Sequence, residues 1–163
     1  MLVFLYRTGN IETNNKKLFF RNLLEDFVRV VLYSSARNFQ HPLFPNGRRI
    51  ELAGRDSDCD IKLDGEAVGD DSKGISKHHA VIANVGTDEK PDIHIKDLGS
   101  RNGTWATVEE DKEIDLRKLP GRESQINLGQ LFRFGRVKFV IIEADKIPSG
   151  AGGDHTEMIE PPK

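Results

Sequence analysis

The chain has 163 residues, a formal net charge of −2, 31% charged residues and 37% apolar residues. That length suits one domain with a sizeable core and is short for two. The balanced charge lacks the basic excess of a duplex nucleic-acid binder, and no apolar run approaches the roughly 18 residues of a membrane helix. The single cysteine, Cys59, has no internal disulfide partner, which points to a reducing compartment.

Residues 2–7 (LVFLYR) read as a strand closed by a turn at Thr8-Gly9-Asn10. This apolar start lacks a basic flank and a small-residue cleavage site, so it does not read as a secretory signal. Over residues 16–33, Leu18, Phe20, Leu23, Leu24, Phe27, Val28 and Val31 recur at helical spacing, and Arg21, Glu25 and Arg29 form an i, i+4 ladder. The spacing predicts a helix, although its β-branched end, VRVVLY, suits a strand equally. Residues 41–47 (HPLFPNG) are a loop punctuated by proline and glycine.

Short strands separated by Gly/Asp/Asn turns follow: RIELAGR, CDIKL, HAVIANV, DIHIKDL, GTWATV, QLFRFG and VKFVIIEA. In DIHIKD, Ile93 and Ile95 fall on one face and His94 and Lys96 on the other. Trp105, Phe132, Phe134 and Phe139 read as core. The pattern predicts an all-β fold, a β-sandwich of two mostly antiparallel sheets, with a helix-like insertion near the N-terminus. One domain is expected over residues 1–144, with its core at about 48–142 and the insertion at about 8–45. Residues 145–163, rich in small residues and proline, read as a disordered tail or linker.

Candidate chemistry is sparse. Ser76 lies three residues before His79, but GISKH lacks the second glycine of a nucleophile elbow, and nothing marks an oxyanion hole. The adjacent His78 and His79 point to opposite faces of a strand, and Cys59 stands alone in sequence, so no metal site is expected. Asp56-Ser57-Asp58-Cys59-Asp60 opens like a calcium loop, but Ile61 and Ala67 occupy the positions that need glycine and glutamate. No cofactor and no enzymatic activity are expected.

Three short motifs stand in order: Gly54-Arg55 at a strand end, Ser76-Lys77-His78-His79 opening a strand, and Ser100-Arg101-Asn102-Gly103-Thr104 between two strands. A phosphothreonine carries about −1.5 to −2 charge and three acceptor oxygens, which suit a guanidinium, a hydroxyl and an amide presented on loops. Arg55, Ser76 and Asn102 supply those groups, and Lys77 and Arg101 flank them with positive charge. Each motif alone fits an ordinary turn; their joint order does not.

Over about residues 48–142 the sequence resembles the forkhead-associated (FHA) family, which binds phosphothreonine peptides. The resemblance implies that Arg55 and Ser76 contact the phosphate, that Asn102 grips the peptide main chain, and that the residue at Arg101 adds a contact. It further implies that Gly54, His79 and Gly103 support the site. The segment GEAVGDDSKG corresponds to a specificity loop in the family; being acidic here, it is expected to disfavour acidic residues after the phosphothreonine. The connection ATVEEDKEIDLRKLPGRES is longer and more charged than the short hairpin of many members. The N-terminal placement is similar to that in nibrin-like DNA-repair adaptors. That likeness implies a nuclear protein that recruits phosphorylated repair partners and joins the Mre11–Rad50 complex through regions beyond this domain, with no direct nucleic-acid or membrane contact. The alternative is an FHA-fold interaction module of another nuclear protein, independent of phosphate.

Overall fold

The computed structural model describes residues 29–110 and 112–147. They form two sheets built from eleven strands. One sheet contains β1 (Val30–Ser34), β2 (Phe39–Pro42), β7 (Thr104–Glu109), β8 (Lys112–Asp115), β10 (Leu131–Phe134) and β11 (Val137–Glu143), in the order β2-β1-β11-β10-β7-β8. The other contains β3 (Ile50–Gly54), β4 (Ile61–Lys62), β5 (Ala80–Asn84), β6 (Ile93–Asp97) and β9 (Glu123–Ile126), in the order β4-β3-β5-β6-β9. Every pairing is antiparallel except the short β3–β4 bridge, so the sandwich expected from the strand pattern is present.

Alternation places the core. Ile93 and Ile95 of β6 are buried, as are Val137, Phe139 and Ile141 of β11, while the intervening residues face outward. Phe132, Phe134 and Phe139 pack together with ring centres 5.2–5.9 Å apart. Each such burial stabilises the fold by about 1.5–3 kcal/mol. Trp105 differs from the expectation: it is only half-buried, and the Arg133 guanidinium lies 4.4 Å from its ring centre.

Three corrections to the sequence reading are physical. Val30–Ser34, which helical spacing assigned to the end of a helix, is a strand paired with β11 and β2 and buried along its whole length. A run that is apolar on both faces reads as either element, and here the β-branched valines settle it. Residues 30–42 are therefore part of a sheet, within the stretch expected to be an insertion. The charged connection after Trp105 contains two edge strands, β8 and β9, whose solvated residues hide the strand period. The expected strand at 2–7 and the helix through residue 28 lie outside the described residues, as does the tail from residue 148.

The GEAVGDDSKG segment is built rather than loose. Asp64 caps the short helix α1 (Gly65–Val68) by accepting from the Glu66 and Ala67 amides at 3.0 and 3.1 Å, and Val68 and Ser72 are buried beneath it.

Candidate functional site

Three loops meet at one end of the sandwich: the β3–β4 loop, the segment Ile75–His79 before β5, and the β6–β7 turn. The Arg55 amide donates to the Ser76 carbonyl at 3.1 Å, and the Arg55 Nε donates to the Ile75 carbonyl. The Arg101 amide donates to the Ser76 Oγ at 3.0 Å. The Asn102 side-chain amide donates to the Gly74 carbonyl at 2.9 Å. The structure thus places Arg55, Ser76, Arg101 and Asn102 on one mutually bonded surface.

The polar groups of these side chains are not used up by these contacts. Arg55 is exposed and has no carboxylate partner among the described residues; Asp58, three residues on, meets His78 at 2.9 Å. The Ser76 hydroxyl accepts from Arg101 and keeps its own hydrogen to donate. Asn102 is exposed and retains its carbonyl oxygen and a second N–H.

His79 holds the loops together. It is 0% exposed. Its Nδ1 accepts from the Ser76 amide at 3.0 Å, and its Nε2 donates to the Gly103 carbonyl at 3.2 Å. Those partners fix the neutral Nε2–H tautomer, because a backbone N–H can only donate and a carbonyl can only accept. Burial lowers the His79 pKa below its ordinary value, in agreement with that state. Its own amide donates to the Ala53 carbonyl, and its ring packs 5.0 Å from that of Phe134. Both ring nitrogens are engaged with backbone, and neither meets the Ser76 hydroxyl, so the pair is no nucleophile and base.

The two glycines are fixed by geometry. A Cβ on Gly54 would lie 1.9 Å from the Lys77 carbonyl oxygen. That oxygen is a hub, accepting from the Asp56 amide at 3.1 Å and the Cys59 thiol at 3.2 Å. Lys77 therefore contributes through its backbone, while its ammonium remains exposed. Gly103 has φ +80°, and a Cβ there would meet Arg117 and the Trp105 indole at 2.9 Å.

Sequence reasoning missed the clamp beneath the β6–β7 turn. Asp97, 1% exposed, accepts from the Gly99 amide (2.8 Å), the Ser100 amide (2.9 Å), the Ser100 hydroxyl (2.6 Å) and the Thr104 hydroxyl (2.7 Å). Burial opposes its charge, but these bonds outweigh that cost and hold its carboxyl below the ordinary range. The Asp-x-Gly-Ser spacing was a readable sign of an Asx turn. Arg117, paired with Asp115 at 2.6 Å, donates to the Arg101 carbonyl at 3.0 Å, and no local pattern announces it.

Beside Asn102 lies an open cleft of about 670 Å³, lined by Asp70, Asp71, Lys73, Gly74, Arg133 and Arg136 among others. Arg133 is neutralised by Glu113 at 2.7 Å, whereas Arg136 is exposed and has no ion-pair partner among the described residues. The cleft therefore carries acidic residues, Asp70 and Asp71, and basic ones, Lys73, Arg133 and Arg136.

A two-sheet scaffold that carries cations and amides on its end loops holds them in fixed positions at one end of the molecule. The chain belongs to the FHA family: the FHA domain pattern matches residues 52–135, more than half of its length. Among solved structures it resembles the FHA domain of a Chlamydia trachomatis protein, at 24% identity and TM-score 0.50 over 71% of this chain and 97% of that one. It also resembles Mycobacterium tuberculosis EmbR, solved with a low-affinity phosphopeptide, at 24% identity and TM-score 0.52, over 85% of this chain but only 31% of that one. Full-length yeast Pml1p matches at 19% identity and TM-score 0.50, over 86% of this chain and 99% of that one. At these identities the likeness is one of fold. No curated protein sequence gives a match.

Proposed function

We propose that this domain binds phosphothreonine in partner proteins and performs no catalysis itself. The observation that carries the reading is Arg55: an exposed guanidinium without a carboxylate partner among the described residues, bonded through its backbone to the loop that presents the Ser76 hydroxyl. Arg55 and Ser76 take the phosphate, Lys77 and Arg101 add positive charge, and Asn102 holds the ligand backbone. Gly54, His79 and Gly103 fix the three loops. Charge-assisted hydrogen bonds of this kind weaken with salt and disappear with the phosphate.

The narrower reading, a nuclear nibrin-like adaptor that reaches Mre11–Rad50 through other regions, has only the style of the sequence behind it. None of the solved proteins named above is described as such an adaptor, so the proposal rests at the level of the phosphothreonine reader. The phosphate-independent module is the alternative, and the Arg55, Ser76 and Asn102 arrangement speaks against it.

The test is an oriented peptide library carrying phosphothreonine, phosphoserine or threonine at a fixed position, probed with wild type and Asn102→Ala. Selective capture of the phosphothreonine set, weakened in the variant, supports the reading. Equal capture of unphosphorylated peptides overturns it.

A further inference from the structure

We propose that Asp58, Cys59 and His78 form a binding site for a divalent transition metal of the Zn²⁺ type. In sequence Cys59 stands alone and His78 is one of five scattered histidines. The fold changes that. The β3–β4 loop and the strand-opening segment are tied together at the Lys77 carbonyl, which receives both the Asp56 amide and the Cys59 thiol. This brings one thiol, one imidazole and one carboxylate together, with their ligand atoms all within 4.8 Å of one another. The His78 Nε2 sits 2.9 and 3.0 Å from the two Asp58 oxygens, and the Cys59 Sγ lies 4.0 Å from Asp58 Oδ1.

The separations suit a single ion. Metal–ligand bonds of about 2.0–2.3 Å set tetrahedral edges of roughly 3.3–3.7 Å, so the His78 and Asp58 donors, now 2.9–3.0 Å apart, part by about half an ångström while donors as far apart as 4.8 Å close by about 1–1.5 Å. Asp58 and His78 are exposed and can make that movement, while Cys59 is buried and anchored. A thiolate with an imidazole selects Zn²⁺ or Co²⁺ over Mg²⁺ and Ca²⁺. Three protein ligands leave a fourth position open to water.

The surrounding carboxylates attract a cation, which must displace a thiol proton that burial holds in place. Burial raises the Cys59 thiol pKa, and the charges of Asp58, Asp56 and Asp60 add to that rise, with a hydrogen bond from the Asp56 backbone opposing it. A divalent cation reverses the balance by drawing those charges to itself. Binding releases the thiol proton to solvent and takes His78 as the neutral imidazole. The site stands whether or not the domain reads phosphothreonine.

The full 163-residue chain, reduced and freed of metal, is titrated with Co²⁺ and followed by absorbance. The expected result is a thiolate-to-cobalt charge-transfer band in the near ultraviolet, saturating at one ion per chain and displaced by Zn²⁺. Calorimetry with Zn²⁺ in buffers of different ionisation enthalpy should show about one proton released per ion. Cys59→Ser removes the band. Because Cys59 is buried, the exposed positions serve as the cleaner variants. His78→Ala and Asp58→Asn should each weaken Zn²⁺ binding by at least the roughly 10-fold that loss of a mere outer-shell partner costs. His94→Ala should leave binding unchanged. Absence of the band in the wild type, or an equal band in the His78→Ala protein, overturns the proposal.

Discussion

Replacing His79 with alanine tests whether one buried ring holds the site together. The change orphans the Ser76 amide, which His79 bonds at 3.0 Å, and leaves the Gly103 carbonyl, bonded by His79 at 3.2 Å, with the Gly135 amide alone. Each unsatisfied buried group costs about 1–3 kcal/mol. It also removes a ring packed 5.0 Å from Phe134 at a position with 0% exposure. Truncating a buried aromatic costs about 3–5 kcal/mol, but the vacated space is polar enough to admit water, so the terms do not simply add. The net expectation is about 3–5 kcal/mol. With a urea slope of about 1–3 kcal/mol per molar, the unfolding midpoint drops by one to several molar. Equilibrium urea unfolding followed by Trp105 fluorescence reads this directly. A loss under about 1 kcal/mol would show that the loops are held by something else, and the bracket role of His79 would have to be abandoned.

Other outcomes follow from the same geometry. Gly54→Ala drives a methyl group to 1.9 Å from the Lys77 carbonyl oxygen, which is backbone and must move; a stability loss of about 1–3 kcal/mol is expected, with phosphopeptide affinity falling alongside it. Asp97→Ala strips four hydrogen bonds from the β6–β7 turn; hydrogen exchange at the Gly99 and Ser100 amides should speed up markedly while the far end of β6 stays protected. The pH dependence has a definite sign. The folded pKa of His79 lies below its ordinary 6.5, so its contribution to stability is complete above that value and is lost as pH falls from 6.5 through the lowered folded value. Chemical unfolding at stepped pH should show that decline in the wild type and lack this component in a His79→Gln protein.

The geometry of the three motif loops was more legible than the edges of the scaffold. Gly54, Ser76, Asn102 and Gly103 carry their constraints locally: a close backbone approach, a short hydroxyl, a carboxamide and a positive φ each admit few residue types. The central strands were legible for a similar reason, since β6 and β11 bury one face and alternate. The edges were not. β8 and β9 each bury only one of their four residues, and β1 is buried on both sides, so none of them presents the period of two that marks a strand. Nor could sequence show that Asp58 pairs with His78, twenty positions away, rather than with Arg55. Contacts of that span depend on the β3–β4 loop folding back on the strand-opening segment, which no local pattern encodes.

The most direct measurement is a calorimetric titration of one phosphothreonine peptide into the wild type and Arg55→Ala, with the unphosphorylated peptide as the third arm. Hydrogen bonds to a charged group contribute about 1.5–3 kcal/mol, so the variant should bind roughly 10- to 150-fold more weakly and the unphosphorylated peptide should not bind measurably. Equal affinity of the two proteins for the phosphopeptide would contradict the assignment of this loop cluster as its binding site.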